Sequence, residues 1–280
     1  MCITFIHVAR TTASKYKLVV LNNRDEFFDR PSAKMDWREG VLSGIDEQDA
    51  VRGTWFGVNR TGKVGMLLSV TQPAHTKFVG SPSRGSLVKN YLKASTSLNE
   101  YCEQLIATAS SYNGFQFVGL ERNSHGLYEL RSVTNRLVDE VKTAAWPPGD
   151  YCISNSPASC PYQKAIYGER IFKDAMKDVD NLSLNEVVDR LLVIATDHKK
   201  CLPDPQIALQ TEMPEELHGP IGSIFVRYDD SNRYGTRTHS VLVVDNQDNV
   251  FVFERRMTFI PENVSHSSWE DCNFEFQLEK

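Results

Sequence analysis

Met1-Cys2-Ile3-Thr4-Phe5-Ile6 puts a cysteine at the second position with an apolar run directly behind it. Initiator methionine is usually trimmed before a small second residue, which would leave Cys2 carrying both a thiol and a free α-amine. The amine titrates near about pH 7.7–8, so nucleophile and base would share one residue, the arrangement used in N-terminal-nucleophile catalysis. The plain alternative is a small, inert, buried thiol at the start of an edge strand. Ile3 to Val8 reads as a strand, and Tyr16 to Asn22 as a second one returning beside it. The polar cluster Asn22-Asn23-Arg24-Asp25-Glu26 then falls where the second strand is expected to end. A hairpin carries that cluster back to the N-terminus, so Arg24 or Asp25 is expected within reach of Cys2. An arginine there favours thiolate, and a carboxylate holds an ammonium between proton transfers. The alternative is a surface turn with a weak local ion pair.

Further along, Thr54 to Val58 and Lys63 to Val70 form a hairpin around Asn59-Arg60-Thr61-Gly62. Within it, Gly53-Thr54-Trp55-Phe56-Gly57 sets two large aromatics between glycines, and alternation predicts Trp55 in a ligand pocket and Phe56 in the core. Two helices follow. The second opens with the capping box Ser97-Leu98-Asn99-Glu100 and buries Cys102 on its apolar face. Strands are expected at Gly114 to Glu121, Leu127 to Ser132 and Tyr151 to Ser154, then helices at Tyr162 to Lys177 and Leu184 to Thr196, the latter capped by Ser183 and stopped by Leu202-Pro203-Asp204-Pro205. Strands at Ile221 to Tyr228, Thr238 to Val244 and Val250 to Glu254 close the pattern. Tyr234-Gly235-Thr236-Arg237-Thr238 leaves Arg237 where a strand begins, able to clamp an anion or merely to be solvated. The block order β, α, β, α, β predicts an α+β fold of antiparallel sheets with helices outside them.

Composition narrows the function classes. The chain of 280 residues, without repeat or linker, reads as one domain over 1–280. A formal charge of −5 argues against nucleic acid as a partner. No apolar stretch nears the roughly 20 residues of a transmembrane segment, and no secretory leader is expected. Six cysteines scattered at 2, 102, 152, 160, 201 and 272 fit a reducing, cytoplasmic setting rather than a disulfide framework. His198 and Cys201 lack a second ligand pair, so no metal site is expected. Cys160-Pro161 reads as the start of a helix more readily than as a haem ligand.

Met1-Cys2, Asn23-Arg24-Asp25-Glu26, Gly53-Thr54-Trp55-Phe56-Gly57, Tyr112-Asn113-Gly114-Phe115, Ser154-Asn155, Leu202-Pro203-Asp204-Pro205 and Tyr234-Gly235-Thr236-Arg237-Thr238, in that order, resemble the transport and Golgi organization protein 2 family, also called NRDE proteins. The resemblance runs end to end. It implies a four-layer αββα sandwich of the N-terminal-nucleophile hydrolase type and, more remotely, a likeness to bile salt hydrolases and penicillin V acylases. It implies Cys2 as nucleophile, Arg24 and Asp25 as its charge partners, Asn155 as an oxyanion donor and Arg237 as a thiolate or substrate clamp. Two departures stand out. Arg24 and Asp25 are adjacent, so strand alternation sends one of them away from the nucleophile, and Ser69 stands near where the family usually has an asparagine. Loss of an oxyanion donor costs about 3–4 kcal/mol of transition-state stabilisation, which disfavours efficient amide hydrolysis.

The resemblance further implies a role in haem homeostasis, as a haem chaperone, with links to Golgi organisation and acyl-lipid handling. The expected partner is therefore a small amphipathic acidic ligand, haem or an acyl thioester, bound as cargo with no cofactor required. Arg24, Trp55 and Arg237 are the expected ligand-binding residues. Cytoplasmic residence is expected, with Golgi or mitochondrial association implied by the family. The competing expectation is a working N-terminal-cysteine amidohydrolase.

Overall fold

Successive side chains of a strand point to opposite faces, so the first hairpin shows Ile6, Val8, Leu18 and Val20 on one side and Ile3, Phe5, Val19 and Leu21 on the other. Both faces are apolar, and a sheet built on this hairpin must be covered twice. The computed structural model describes residues 2–279 and shows how. In chain order the elements are β1 (Cys2–Val8), β2 (Tyr16–Phe27), β3 (Ser32–Arg38), β4 (Val41–Asp46), β5 (Phe56–Asn59), β6 (Val64–Ser69), α1 (Gly85–Lys93), α2 (Leu98–Thr108), β7 (Phe115–Arg122), β8 (Tyr128–Thr134), β9 (Thr143–Trp146), β10 (Asp150–Ile153), α3 (Gln163–Met176), α4 (Leu184–Ala195), α5 (Pro205–Thr211), α6 (His218–Ile221), β11 (Tyr234–Asp245), β12 (Asn249–Phe259) and β13 (Ser268–Gln277).

The strands form a six-stranded sheet, β10-β1-β2-β11-β12-β13, and a seven-stranded sheet, β3-β4-β5-β6-β7-β8-β9. Every pairing is antiparallel. Ile6, Val20, Leu242 and Val252 of the first sheet meet Leu42, Phe56, Met66 and Leu120 of the second in a core between the two. On its outer face the first sheet packs Phe5, Leu21 and Val241 against Phe172 of α3 and Val187 and Leu191 of α4. The second sheet packs Phe117 and Val133 against Tyr91 of α1 and Tyr101 and Leu105 of α2. The layers therefore run α, β, β, α, the four-layer α+β arrangement that the resemblance implied. Among the described residues no helix is long and apolar enough to cross a membrane.

Several local expectations change. β2 runs on through Asn22-Asn23-Arg24-Asp25-Glu26 to Phe27, because β1 and β11 flank it on both sides and satisfy its backbone. Asn23 shows how polar side chains fit inside: Nδ2 donates to the Ala195 carbonyl at 2.8 Å, and Oδ1 meets His239 Nδ1 at 2.7 Å. Residues 221–228 are not a strand; after α6 they pair only through one bridge between Arg227 and Gly235, and their apolar character comes from burial of Ile224 and Val226. α4 stops at Ala195, well before the prolines, and Asp204 instead caps α5, its Oδ1 accepting from the Gln206 amide at 3.0 Å with Pro205 following. β3 and β13 carry too few apolar residues to announce themselves, and β4 and β9 are short, with six and four residues. The capping boxes at Ser97 and Ser183 form as read.

His239 lets this packing be tested. Because Asn23 Oδ1 can only accept, His239 Nδ1 carries the proton of the neutral ring, and burial pushes the imidazole down to about 3. An unfolded histidine titrates near about 6.5, so the unfolded chain binds a proton that the folded one refuses between those values. Stability should be full above about pH 6.5 and fall by up to about 1.4 kcal/mol per pH unit for this proton as pH drops. Urea titrations between about pH 4.5 and 7 should show a shallower slope in His239→Gln; an unchanged slope refutes the assignment.

Candidate functional site

Register places the site. Cys2 pairs with Arg24, and Arg24 with Thr238, so these three side chains project from neighbouring strands toward the second sheet. A pocket of about 320 Å³ opens there, with Cys2, Arg24, Trp55, Ser69, Arg84 and Glu26 among its walls. Arg24 is only 3 % exposed. Its guanidinium lies 4.0 Å from the centre of the Trp55 ring, and its Nη2 is 4.0 Å from Glu26 Oε2. Among the described residues Nη1 has no hydrogen-bond partner. Trp55 fits because Gly44 faces it: a Cβ at 44 would come within 2.7 Å of the indole. Phe56, the first residue of β5, is fully buried in the core between the sheets, and Trp55, just before the strand, packs at the edge of that same core.

Asp25, one residue on, faces the helix side. Its Oδ1 accepts from Thr236 Oγ1 at 2.6 Å, and burial pushes its carboxyl upward against the pull of nearby positive charge and this hydrogen bond. Lys164, fully buried at the start of α3, supplies part of that charge while its Nζ donates to the Ser223 carbonyl at 3.1 Å. Alternation thus does separate the two side chains, yet Cys2 at the strand edge feels both. Burial pushes the Cys2 thiol up, and the Asp25 carboxylate adds to this, while the Asp25 backbone amide and the Arg24 charge pull it down. The backbone nitrogen of Cys2 donates to Asn155 Oδ1 at 2.6 Å, and Asn155 Nδ2 donates to the Ser69 carbonyl at 2.7 Å. Asn155 therefore holds the main chain at Cys2 and ties it to β6. The removal of Met1 concerns a residue outside the described ones.

Arg237 is not among the residues that line the pocket. A β-bulge between Thr236 and Thr238 leaves it without a partner on β2. Its Nη1 donates to the carbonyls of Phe27, Phe28 and Arg30 at 2.9, 3.0 and 2.7 Å, fastening the chain behind the pocket. Burial lowers it to about 10. Arg84 is the arginine that sequence reading missed. It lines the pocket, and its Nη1 donates to the Gly114 carbonyl at 2.6 Å. It occupies the N-cap of α1, where the helix dipole disfavours a cation, and that mismatch was the available signal. Arg30 and Asp46 add a bidentate pair at 2.7–3.1 Å. Among the described residues no group of three or more His, Cys, Asp or Glu side chains gathers as a metal would need.

Because burial raises the Cys2 thiol, its alkylation should be slow at neutral pH and accelerate only above about pH 9. Arg24→Ala should move the midpoint higher still, since it removes a charge that favours thiolate. Mass spectrometry of the N-terminal peptide after timed iodoacetamide treatment reads both, and a midpoint at or below neutrality contradicts this electrostatic picture.

Comparison with known proteins agrees with the whole-chain pattern. A family model described as Transport and Golgi organisation 2 matches residues 1–259. A "Transport and Golgi organization 2 homolog" of Mus musculus is 30% identical over 286 residues, covering 100% of both chains. The "Transport and Golgi organization protein 2" of Drosophila melanogaster is 29% identical over 290 residues, covering 98% of each. A solved structure, the C2A mutant of conjugated bile acid hydrolase from Clostridium perfringens, is 12% identical with a TM-score of 0.49, over 90% of this chain and 88% of that one. With the family model covering nearly all of it and full-length relatives at 30% identity, the chain belongs to the Transport and Golgi organisation 2 family.

Proposed function

We propose that this protein binds a small amphipathic cargo by its acidic group in the pocket above Cys2. The carrying observation is Arg24: it lines the pocket, is buried and stacked on Trp55, and its sealed Nη1 finds no hydrogen-bond partner among the described residues. An ionised donor left unpaired in the interior is costly, and a carboxylate or phosphate would satisfy it. Arg84 adds a second cation on the same pocket. At about 320 Å³ the pocket lies at the small end of ligand sites, so it suits the acidic end of a cargo while the apolar remainder extends outward. Haem and acyl thioesters both have this chemistry. Haem trafficking as a haem chaperone is the leading role within this reading, acyl-lipid handling the other, with Golgi organisation and cytoplasmic, Golgi or mitochondrial residence belonging to the same proposal.

A second reading, an N-terminal-cysteine amidohydrolase, draws support from the hydrogen bond between the Cys2 nitrogen and Asn155 and from the nearby Asp25. Two observations weigh against it. Ser69 supplies no side-chain amide, and Asn155 Nδ2 already serves the Ser69 carbonyl. Amide hydrolysis would need an ionised nucleophile and oxyanion donors.

Haem and a long-chain acyl thioester, titrated separately, test the cargo reading. Arg24→Ala and Arg84→Ala should each weaken binding by about 1.5–3 kcal/mol, the range for hydrogen bonds to charged groups. Arg237→Ala should instead lower the melting temperature and leave affinity nearly intact, because its partners are backbone carbonyls. Unchanged affinity in both pocket variants removes the acidic-cargo reading.

A further inference from the structure

The mouth of the pocket carries apolar side chains that nothing in the fold covers. Val79 is fully exposed at 105 %, and Phe78 beside it is 66 % exposed. Both precede Ser81, Ser83 and Arg84, which line the pocket. The tip is held in place rather than loose. The Phe78 amide donates to Asn113 Oδ1 at 2.8 Å, Asn113 Nδ2 donates back to the Phe78 carbonyl at 3.2 Å, and Asn113 itself lines the pocket. Gly80 turns the chain with φ of +84°, and no atom lies within 4 Å of where its Cβ would be. Ser83 Oγ then donates to Asp49, lacing this loop to the one bearing Val51, which is 41 % exposed between the pocket-lining Asp49 and Gly53.

An isolated exposed apolar side chain is ordinary, as Val193 on α4 and Leu209 on α5 are here at 72 % and 68 %. A braced Phe-Val pair projecting beside the opening of a binding pocket is not, because solvent gives no reason to hold it there. We propose that the pocket mouth docks on a zwitterionic lipid surface by inserting Phe78 and Val79 among the headgroups, with Val51 at their flank. Two observations favour lipid over a protein partner. The apolar groups stand clear of the fold, with Val79 fully exposed and Phe78 largely so, and they are few against the roughly 20–30 residues that a protein interface uses on each side. A net charge of −5, with Arg52 and Lys77 offset by Glu47 and Asp49 on the same loops, gives no attraction to an anionic surface. The inference rests on the cargo reading for its purpose: docked this way, the pocket opens onto the layer from which the apolar part of an amphiphile would come.

Flotation with phosphatidylcholine vesicles tests the docking directly. The parent protein should float with them, and Phe78→Ser combined with Val79→Ser should weaken partitioning by about tenfold or more, given two buried side chains lost. Val193→Ser combined with Leu209→Ser should float like the parent. Phe78→Trp should show a blue-shifted emission on vesicles that brominated lipid quenches. Absence of parent flotation, equal losses in the two double variants, or binding only to phosphatidylserine-containing vesicles overturns the proposal. Affinity for a short-chain, water-soluble acyl thioester is measured alongside: if it survives in the Phe78/Val79 variant while flotation is lost, docking and cargo binding are separate; if Arg24→Ala abolishes it while flotation persists, docking stands without dependence on Arg24.

Discussion

The register between β1, β2 and β11 is the constraint on which the rest depends. Cys2 opposite Arg24, and Arg24 opposite Thr238, sends the thiol and the guanidinium into the gap between the sheets and Asp25 out toward α3. A slip of one residue would exchange Arg24 and Asp25 between these faces and bury the wrong charge on each side. The bulge at Arg237 absorbs one extra residue of β11, so Thr236 can meet Asp25 while Thr238 meets Arg24.

Rows of side chains across the first sheet show how polarity is graded toward the pocket. Val8, Leu18, Val244, Val250 and Phe276 form one apolar row on the face between the sheets, and Ile6, Val20, Leu242, Val252 and Phe274 form the next. The following row is Thr4, Asn22, Ser240 and Glu254, and the last is Cys2, Arg24, Thr238 and Arg256. The far end supplies the hydrophobic stabilisation, and the near end gives some of it up. Arg24 and Glu254 are both almost fully buried, and Glu254 Oε1 accepts from the Met35 amide at 2.9 Å. Among the described residues the Asn22 side chain finds no hydrogen-bond partner. Buried polar groups of this kind lower stability unless fully partnered, and they concentrate at one end of one gap, where a ligand can reach them.

That gradient also bears on the choice between holding a cargo and cleaving one. A nucleophilic thiol wants nearby positive charge and little desolvation, whereas Cys2 has Arg24 beside it but burial and Asp25 against it. Asn155 spends its two ends on the Cys2 nitrogen and the Ser69 carbonyl, locking β1 to β6 across the sandwich. On the cargo reading proposed above, the residues that a hydrolase would use for chemistry serve instead to fix geometry around two arginines.

Much of this was legible in the linear chain, because it is written in local physics. Strand alternation in Ile3 to Val8, the two Ser-x-x-Glu capping boxes, Cys102 on an apolar helix stripe, and the division of labour between Trp55 and Phe56 each depend on near neighbours. The nearness of Arg24 and Asp25 to Cys2 followed from a hairpin return. The largely polar strands β3 and β13 were invisible, since their pairing comes from neighbouring strands rather than from their own side chains. Sequence also could not tell which arginine faces the pocket. Arg237 looked available but is bound to three carbonyls contributed by another strand end, while Arg84 arrives at the pocket from a helix start in the opposite layer. Periodicity and capping are set within a few residues and survive in the sequence; which face of a packed sheet holds a charge, and what partners it there, is decided only when distant segments meet.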